Sequence, residues 1–373
     1  MRIKNARLFP TALAFGKTAE GASFLSVIIK GTFEIPSHGG VARPAATQLP
    51  IFTTDEPYDP EQPGGVLKFE SDLVPFKPRT DVVLVGHAYA PHGRPAKVVD
   101  VEIEVGALRK KLRVFGERAW SFASEQRDAI PYIAGPTDFV KMPLTWDRAF
   151  GGIDKNAPIV GQIKPWCDRN YLGVGFCAAR TVASIDRTRL PNIEDPDDLI
   201  RTWDSYPRPA GCGFFPRNSR PRADWWGTYD EKWKLERKPE LPLDFRFDAY
   251  NGADLSMQVG PYLLGNEGVR LTNVRPGLPK LEFSLPALDP RVYRVERGLA
   301  RRIPARLDTV LLMPDTETLC LTWRSSFGIE PQDARTLTEV RIGYDRLAPL
   351  STVDQGTMTQ QERWGCEREQ GSP

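Results

Sequence analysis

Proline and glycine set the narrowest limit on this chain. It carries 34 prolines and 31 glycines in 373 residues. Few stretches can therefore run as helix without losing an amide donor or ordering a costly glycine. No Gly-X-Y period accompanies them, which excludes a collagen-like fibre. A mainly β fold follows, with antiparallel sandwich-like sheets, a long irregular middle segment rich in aromatics and proline, and few short helices. A chain of this length forms one large or two medium domains and buries a core without disulfides or metals as staples.

Charge narrows the partners. The 50 Lys and Arg nearly cancel the 48 Asp and Glu, leaving a net +2, and such a balance argues against a nucleic-acid partner. No apolar run approaches the ~20 residues that span a bilayer, so no membrane partner is expected. Met1–Asn5 has a little positive charge but no apolar stretch after it, unlike a secretory leader. The five cysteines (Cys167, Cys177, Cys212, Cys320 and Cys366) are widely spaced with no CxxC pair. That usage suits a reducing compartment, and the expected location is the cytoplasm.

Period-two patterning is clearest over 98–120. Val99, Val101, Ile103 and Val105 alternate with Asp100, Glu102 and Glu104, Gly106 breaks the run, and Leu108, Lys110, Leu112 and Val114 continue it. This reads as a hairpin with one buried face. With the runs Ser23–Ile35 and Asp81–Ala90 it makes an N-terminal β-rich unit over 1–125. A C-terminal β-rich unit over 261–350 holds Val269–Val274, Lys280–Pro286, Arg291–Glu296 and Leu337–Arg346. It also holds the pair Thr309–Met313 and Thr318–Trp323, around the turn Pro314–Glu317. A polar tail over 351–373 should fray.

Residues 126–260 differ from both units. They hold six of the nine tryptophans and few periodic runs. One helix is expected at Pro196–Trp203, capped by Asp195, with Asp197 and Asp198 favoured by the dipole.

Chemical motifs are scarce. Gly16-Lys17-Thr18 lacks the earlier glycine of a phosphate loop, since position 11 is Thr11. Gly173-Val174-Gly175 is too short for a dinucleotide turn. The three histidines, His38, His87 and His92, have no ligand-spaced companions, and His87 and His92 read as solvated turn residues. No metal and no cofactor is expected, and no catalytic residue. Between 224 and 250, Asp224, Asp230, Glu231, Asp244 and Asp248 are interleaved with aromatics. A sugar-cleaving site would need that mixture, so a glycoside hydrolase or lyase is the alternative to a binder. Arg217, Arg222, Trp225, Trp226, Tyr229 and Trp233 are the candidate partner-binding residues, because Arg, Trp and Tyr dominate interface hot spots. The residues alone give a β-rich binder rather than an enzyme.

Several strings carry a resemblance. They are Pro75–Val83 (PFKPRTDVV), Val114–Trp120 (VFGERAW), Met142–Gly152 (MPLTWDRAFGG), Leu190–Glu194 (LPNIE), Pro209–Gly211 (PAG), and Gly227–Asp230 (GTYD) followed by Trp233. In this order, over about residues 20 to 325, the chain resembles a bacterial family long classed as a domain of unknown function. Its members often accompany PAAR-domain toxins of the type VI secretion system. Glu117 stands where the family pattern favours Asp, and Trp146 where Tyr is commoner. The resemblance implies an adaptor or chaperone that binds a PAAR-containing effector and helps load it onto the VgrG spike. It transfers no catalytic residue. Within the strings, Pro75 and Pro78 are expected to hold an extended lead into the Asp81 strand. Gly151 and Gly152 should permit positive φ, and Arg148 should hold a carboxylate with both guanidinium arms.

Overall fold

The computed structural model describes residues 2–5, 9–122, 130–155, 157, 164–178, 185, 187–329 and 337–346. Two large sheets dominate. One runs Gln258–Val259, Thr80–Leu84, Arg306–Met313, Thr318–Gly328, Ser23–Glu34, Thr11–Lys17, with Arg43–Pro44 paired beside Ser23–Glu34. The other runs Ile193–Glu194, Leu108–Phe115, Val98–Val105, Gly268–Thr272, Lys280–Ser284. Pairing is antiparallel throughout both, except that Thr80–Leu84 lies parallel to Arg306–Met313. A third, four-stranded sheet runs Arg2–Asn5, Leu337–Arg346, Leu288–Glu296, Leu299–Ile303. The mainly β, antiparallel architecture is as expected. Strands from 1–125 and from 261–350 lie side by side within both large sheets, so the two β-rich stretches share sheets.

The 98–114 hairpin forms as its pattern requires, in register from Leu108↔Val105 to Phe115↔Val98. Its Val101, Ile103, Val105, Leu112 and Val114 join Leu271, Leu281 and Phe283 in one apolar core with Val82, Leu84, Leu311 and Leu321 of the larger sheet. Ser23–Glu34 is buried on both faces. Its odd-numbered Leu25, Val27, Ile29 and Phe33 enter that core, and its even-numbered Ser26, Lys30 and Thr32 meet the 45–77 chain through polar contacts. Alternation of side chains across a strand makes this division possible.

Three expectations change. The run Asp81–Ala90 is two strands: Thr80–Leu84 stays in the large sheet, and His87–Tyr89 pairs with Lys141–Pro143. The switch falls at Gly86, whose carbonyl accepts from Leu144 N. Residues 196–203 are not helical. Asp195 accepts from Asp197 N at 3.0 Å in a local turn with no helix behind it, and the Ile200 amide goes to the buried Glu194 Oε2 at 2.9 Å rather than to a helix carbonyl. The one α-helix among the described residues is Glu231–Glu236, capped by Asp230 through Trp233 N. Arg148 donates through Nη1 alone, to Glu117 Oε1 (3.3 Å) and Asn192 Oδ1 (3.0 Å), so its carboxylate contact is single. Arg189 takes the other Glu117 oxygen.

The Arg148 contacts join three of the strings named above, VFGERAW, MPLTWDRAFGG and LPNIE. Gly211 of PAG lies against the Trp146 indole, where a Cβ would sit 2.8 Å from the ring. Gly151 has φ +142, and a Cβ there would lie 2.1 Å from the Asn170 carbonyl oxygen. Gly151→Ala therefore faces backbone, which cannot rotate away. An expected loss of about 1–3 kcal/mol, read from urea unfolding, follows from overpacking and strain together.

Candidate functional site

The irregular middle is fastened to the sheets by buried charge. Arg222 is 2% exposed, and its two arms hold Glu70 in a fork at 2.6 and 2.9 Å. The same guanidinium donates to the Ala249 and Phe215 carbonyls. Nearby, Lys77 Nζ donates to Asp81 Oδ2 (2.8 Å) and Thr309 Oγ1 (3.0 Å), and Asn251 Nδ2 and the Gly252 amide donate to Asp81. Lys30 holds Asp72 at 2.8 Å, with its ammonium 3.0 Å from the centre of the Phe52 ring. Arg324 holds Asp308 at 2.5 Å. Four cations thus face four carboxylates, all with side chains at most 11% exposed. Pairing of this kind is the condition for burying charge at all. A cavity of about 10 Å³ lies among Lys30, Glu70, Asp72, Lys77 and Thr309, too small for anything beyond one water.

Burial alone would push the Glu70 carboxyl up, but Arg222, Arg217 and Lys77 outweigh it and hold the group below its ordinary range. A carboxylate whose folded pKa is depressed contributes stability that is fully present above its unfolded pKa, ~4.3, and is lost as pH falls through the folded value. Urea midpoints should therefore drop on acidification below about pH 4, and Glu70→Gln should flatten that acid limb. An unchanged limb in the variant would remove Glu70 from the account.

Above this base, residues 225–246 form an outward excursion. Gly227 turns with φ +85. Asp244 accepts from Thr228 N (3.0 Å) and Oγ1 (2.7 Å), closing the loop at its neck. Those bonds hold the exposed Asp244 carboxyl below its usual value. The helix Glu231–Glu236 sits at the far end. Trp233 Nε1 donates to the Glu240 carbonyl, and Lys17 reaches Glu240 at 2.7 Å, tying the excursion to the edge strand Thr11–Lys17.

The six candidate residues separate by depth. Arg222 is internal and occupied by Glu70, so it offers nothing to a partner. Arg217 is half-buried and spans Asp55 at 2.7 Å and Glu70 at 3.6 Å. Trp226 packs edge-on against Tyr250 (5.4 Å), in a ring cluster with Phe245 and Phe247 that continues to Phe24 and Phe76. Trp225 is half-buried, with the Arg246 guanidinium 5.5 Å from its ring centre. Tyr229 and Trp233 form a T-shaped pair at 4.6 Å, and Tyr229 is 51% exposed. Two side chains went unnoticed in the sequence: Leu235 (82% exposed) and Leu243 (69%). Phe15, two residues from Lys17 on the same strand face, is exposed as well.

The carboxylates of 224–250 are engaged individually. Asp224 pairs with Arg220, Asp230 caps the helix, Glu231 meets Lys234, and Asp248 meets Arg79 and Arg246. Elsewhere, His87 is not a solvated turn residue. It lies in a strand with Nδ1 2.6 Å from Asp315 Oδ2, and Tyr89 donates to the other oxygen. The reason is long-range: Asp315 belongs to the turn after Arg306–Met313. His92, by contrast, is at a turn with φ 55. Among the described residues, no three His, Cys, Asp or Glu side chains converge as a metal set. Cys366 and the tail from 351 lie outside the described residues.

A family model described as "Uncharacterized protein conserved in bacteria (DUF2169)" matches residues 20–324. No curated protein and no solved structure matches the chain.

Proposed function

The chain belongs to the bacterial family DUF2169, and from that premise we propose that it is a type VI secretion adaptor or chaperone. In this reading it binds and stabilises a PAAR-containing effector in the cytoplasm and helps load it onto the VgrG spike. The secretion context is supported by the ordered strings of the resemblance. The observation that carries the binding role is the 225–246 excursion, where Tyr229, Leu235 and Leu243 stand exposed on a base locked by buried ion pairs. A rigid platform with solvent-facing aromatic and aliphatic anchors fits protein recognition, because little ordering entropy is lost on docking.

A stoichiometric binder and a catalyst respond differently to dose. A binder that recognises only the folded effector stabilises it by about 2.7 kcal/mol when free adaptor is a hundredfold above its dissociation constant. Effector abundance in cells should rise with adaptor expression and level off near equimolar amounts, with the effector's intact mass unchanged. Full protection at a small fraction of stoichiometry, or a mass shift, would overturn the adaptor reading.

A further inference from the structure

Away from the excursion, the strands Leu288–Glu296 and Leu299–Ile303 form a hairpin that is unusually rich in arginine. Across 288–306 there are six arginines (Arg291, Arg294, Arg297, Arg301, Arg302 and Arg306) against two carboxylates, Asp289 and Glu296. The turn is stiff: Arg297 and Gly298 both have positive φ, 48° and 83°, the pattern of a two-residue turn matched to strand twist. Arg294 and Arg301 are cross-strand partners, so two like charges share one face; Glu296 meets Arg294 at 3.4 Å and leaves Arg301 as the charge to be matched there. On the other face, Arg302, Tyr293, Arg341 and Lys4 stand in one row across four strands. Asp289 meets Arg302, and Glu339 is shared by Lys4 and Arg341. Arg297 and Arg301 have no carboxylate within ion-pair distance among the described residues.

Leu299–Ile303 is also the edge of its sheet. Leu299, Ala300, Arg301 and Arg302 are all exposed, Leu299 at 78%, and only Ile303 is buried. Its base is pinned where Ser325 Oγ donates to the Ile303 and Pro304 carbonyls. An open strand edge presents a row of backbone donors and acceptors.

We propose that the edge strand Leu299–Ile303 binds an extended acidic polypeptide segment, which adds as a fifth strand with its carboxylates on Arg301 and Arg302. Backbone pairing supplies the attachment, and the arginines on both faces select the charge. Strand side chains alternate, so a segment carrying Asp or Glu at successive positions can reach both faces. This inference does not rest on the adaptor reading. Charge on an edge can also serve merely to repel other strands, and that role predicts no affinity for an acidic strand.

The probe is the seven-residue peptide Val-Glu-Glu-Val-Glu-Glu-Val, whose successive carboxylates fall on opposite faces of a strand, titrated into the full chain at low salt and followed by amide NMR and calorimetry. Binding should move the Leu299–Arg302 amide signals and weaken with added salt. It should fall at least tenfold in the double variant Arg301→Glu, Arg302→Glu. A peptide methylated at alternate backbone nitrogens tests the strand geometry on the unaltered protein and should also bind at least tenfold more weakly. Equal binding of the same peptide with Lys in place of every Glu, or no binding of the Glu peptide, would overturn the proposal. So would undiminished affinity in the double variant or for the methylated peptide. Tighter binding of a twelve-nucleotide single-stranded DNA at the same amides would replace carboxylate recognition by phosphate recognition and likewise overturn it.

Discussion

Replacing Arg222 with alanine is expected to lower the unfolding free energy by about 3–5 kcal/mol, because it strands Glu70 as an unpaired charge inside the protein. Glu70→Ala should cost a similar amount by stranding Arg222. The pair also joins Phe215, Ala249 and the 66–72 chain, so either change frees the root of the middle segment. Replacing both partners by Met and Leu of similar volume should recover most of the loss, since neither charge then has to be buried. Urea unfolding of the two single variants and the double closes the cycle. A single-variant loss below about 1 kcal/mol would mean that water reaches the site and screens it.

Tyr229→Ala combined with Leu235→Asp and Leu243→Asp is expected to weaken effector capture by roughly thirtyfold or more, about 2 kcal/mol. These side chains are exposed on the excursion, so thermal unfolding should move little. Arg222→Ala is the contrasting control, with stability lost first and binding only as a consequence. Normal capture by a triple variant that folds would place the client elsewhere on the molecule. Loss of folding in that variant would show instead that the excursion is held by these side chains.

Much of the fold was legible where local pattern and final environment agree. Val98–Val105 alternates because one face is core and the other water, and nothing distant intervenes. Ser23–Glu34 announces itself as a strand by its β-branched run, although Lys30 within it makes sense only once Asp72 and Phe52 are beside it. The expected helix at 196–203 failed for a related reason. Asp195 bonds a following amide as a turn residue does, but Glu194 takes the Ile200 amide and no helix follows. Arg222 was read as an interface anchor because its chemistry suits one, and no local signal reports a carboxylate 152 residues away. Aromatic density singles out Tyr229 and Trp233, which the structure sets as a T-shaped pair. Leu235 and Leu243 were missed because single leucines among Lys, Glu and Pro look like the ordinary inner face of a short element.

The pairing of Ser23–Glu34 with Thr318–Gly328 bears on how the protein is made. During synthesis the first strand leaves the ribosome almost 300 residues before its neighbour exists. At ~5–20 residues per second, that gap is roughly 15–60 s. Throughout it, an apolar strand destined to be covered on both faces can pair with Thr11–Lys17 along one edge, while its other edge is open to other nascent chains. Stalled or truncated products ending before residue 318 should accordingly aggregate or recruit holdase chaperones, while the completed chain stays dispersed.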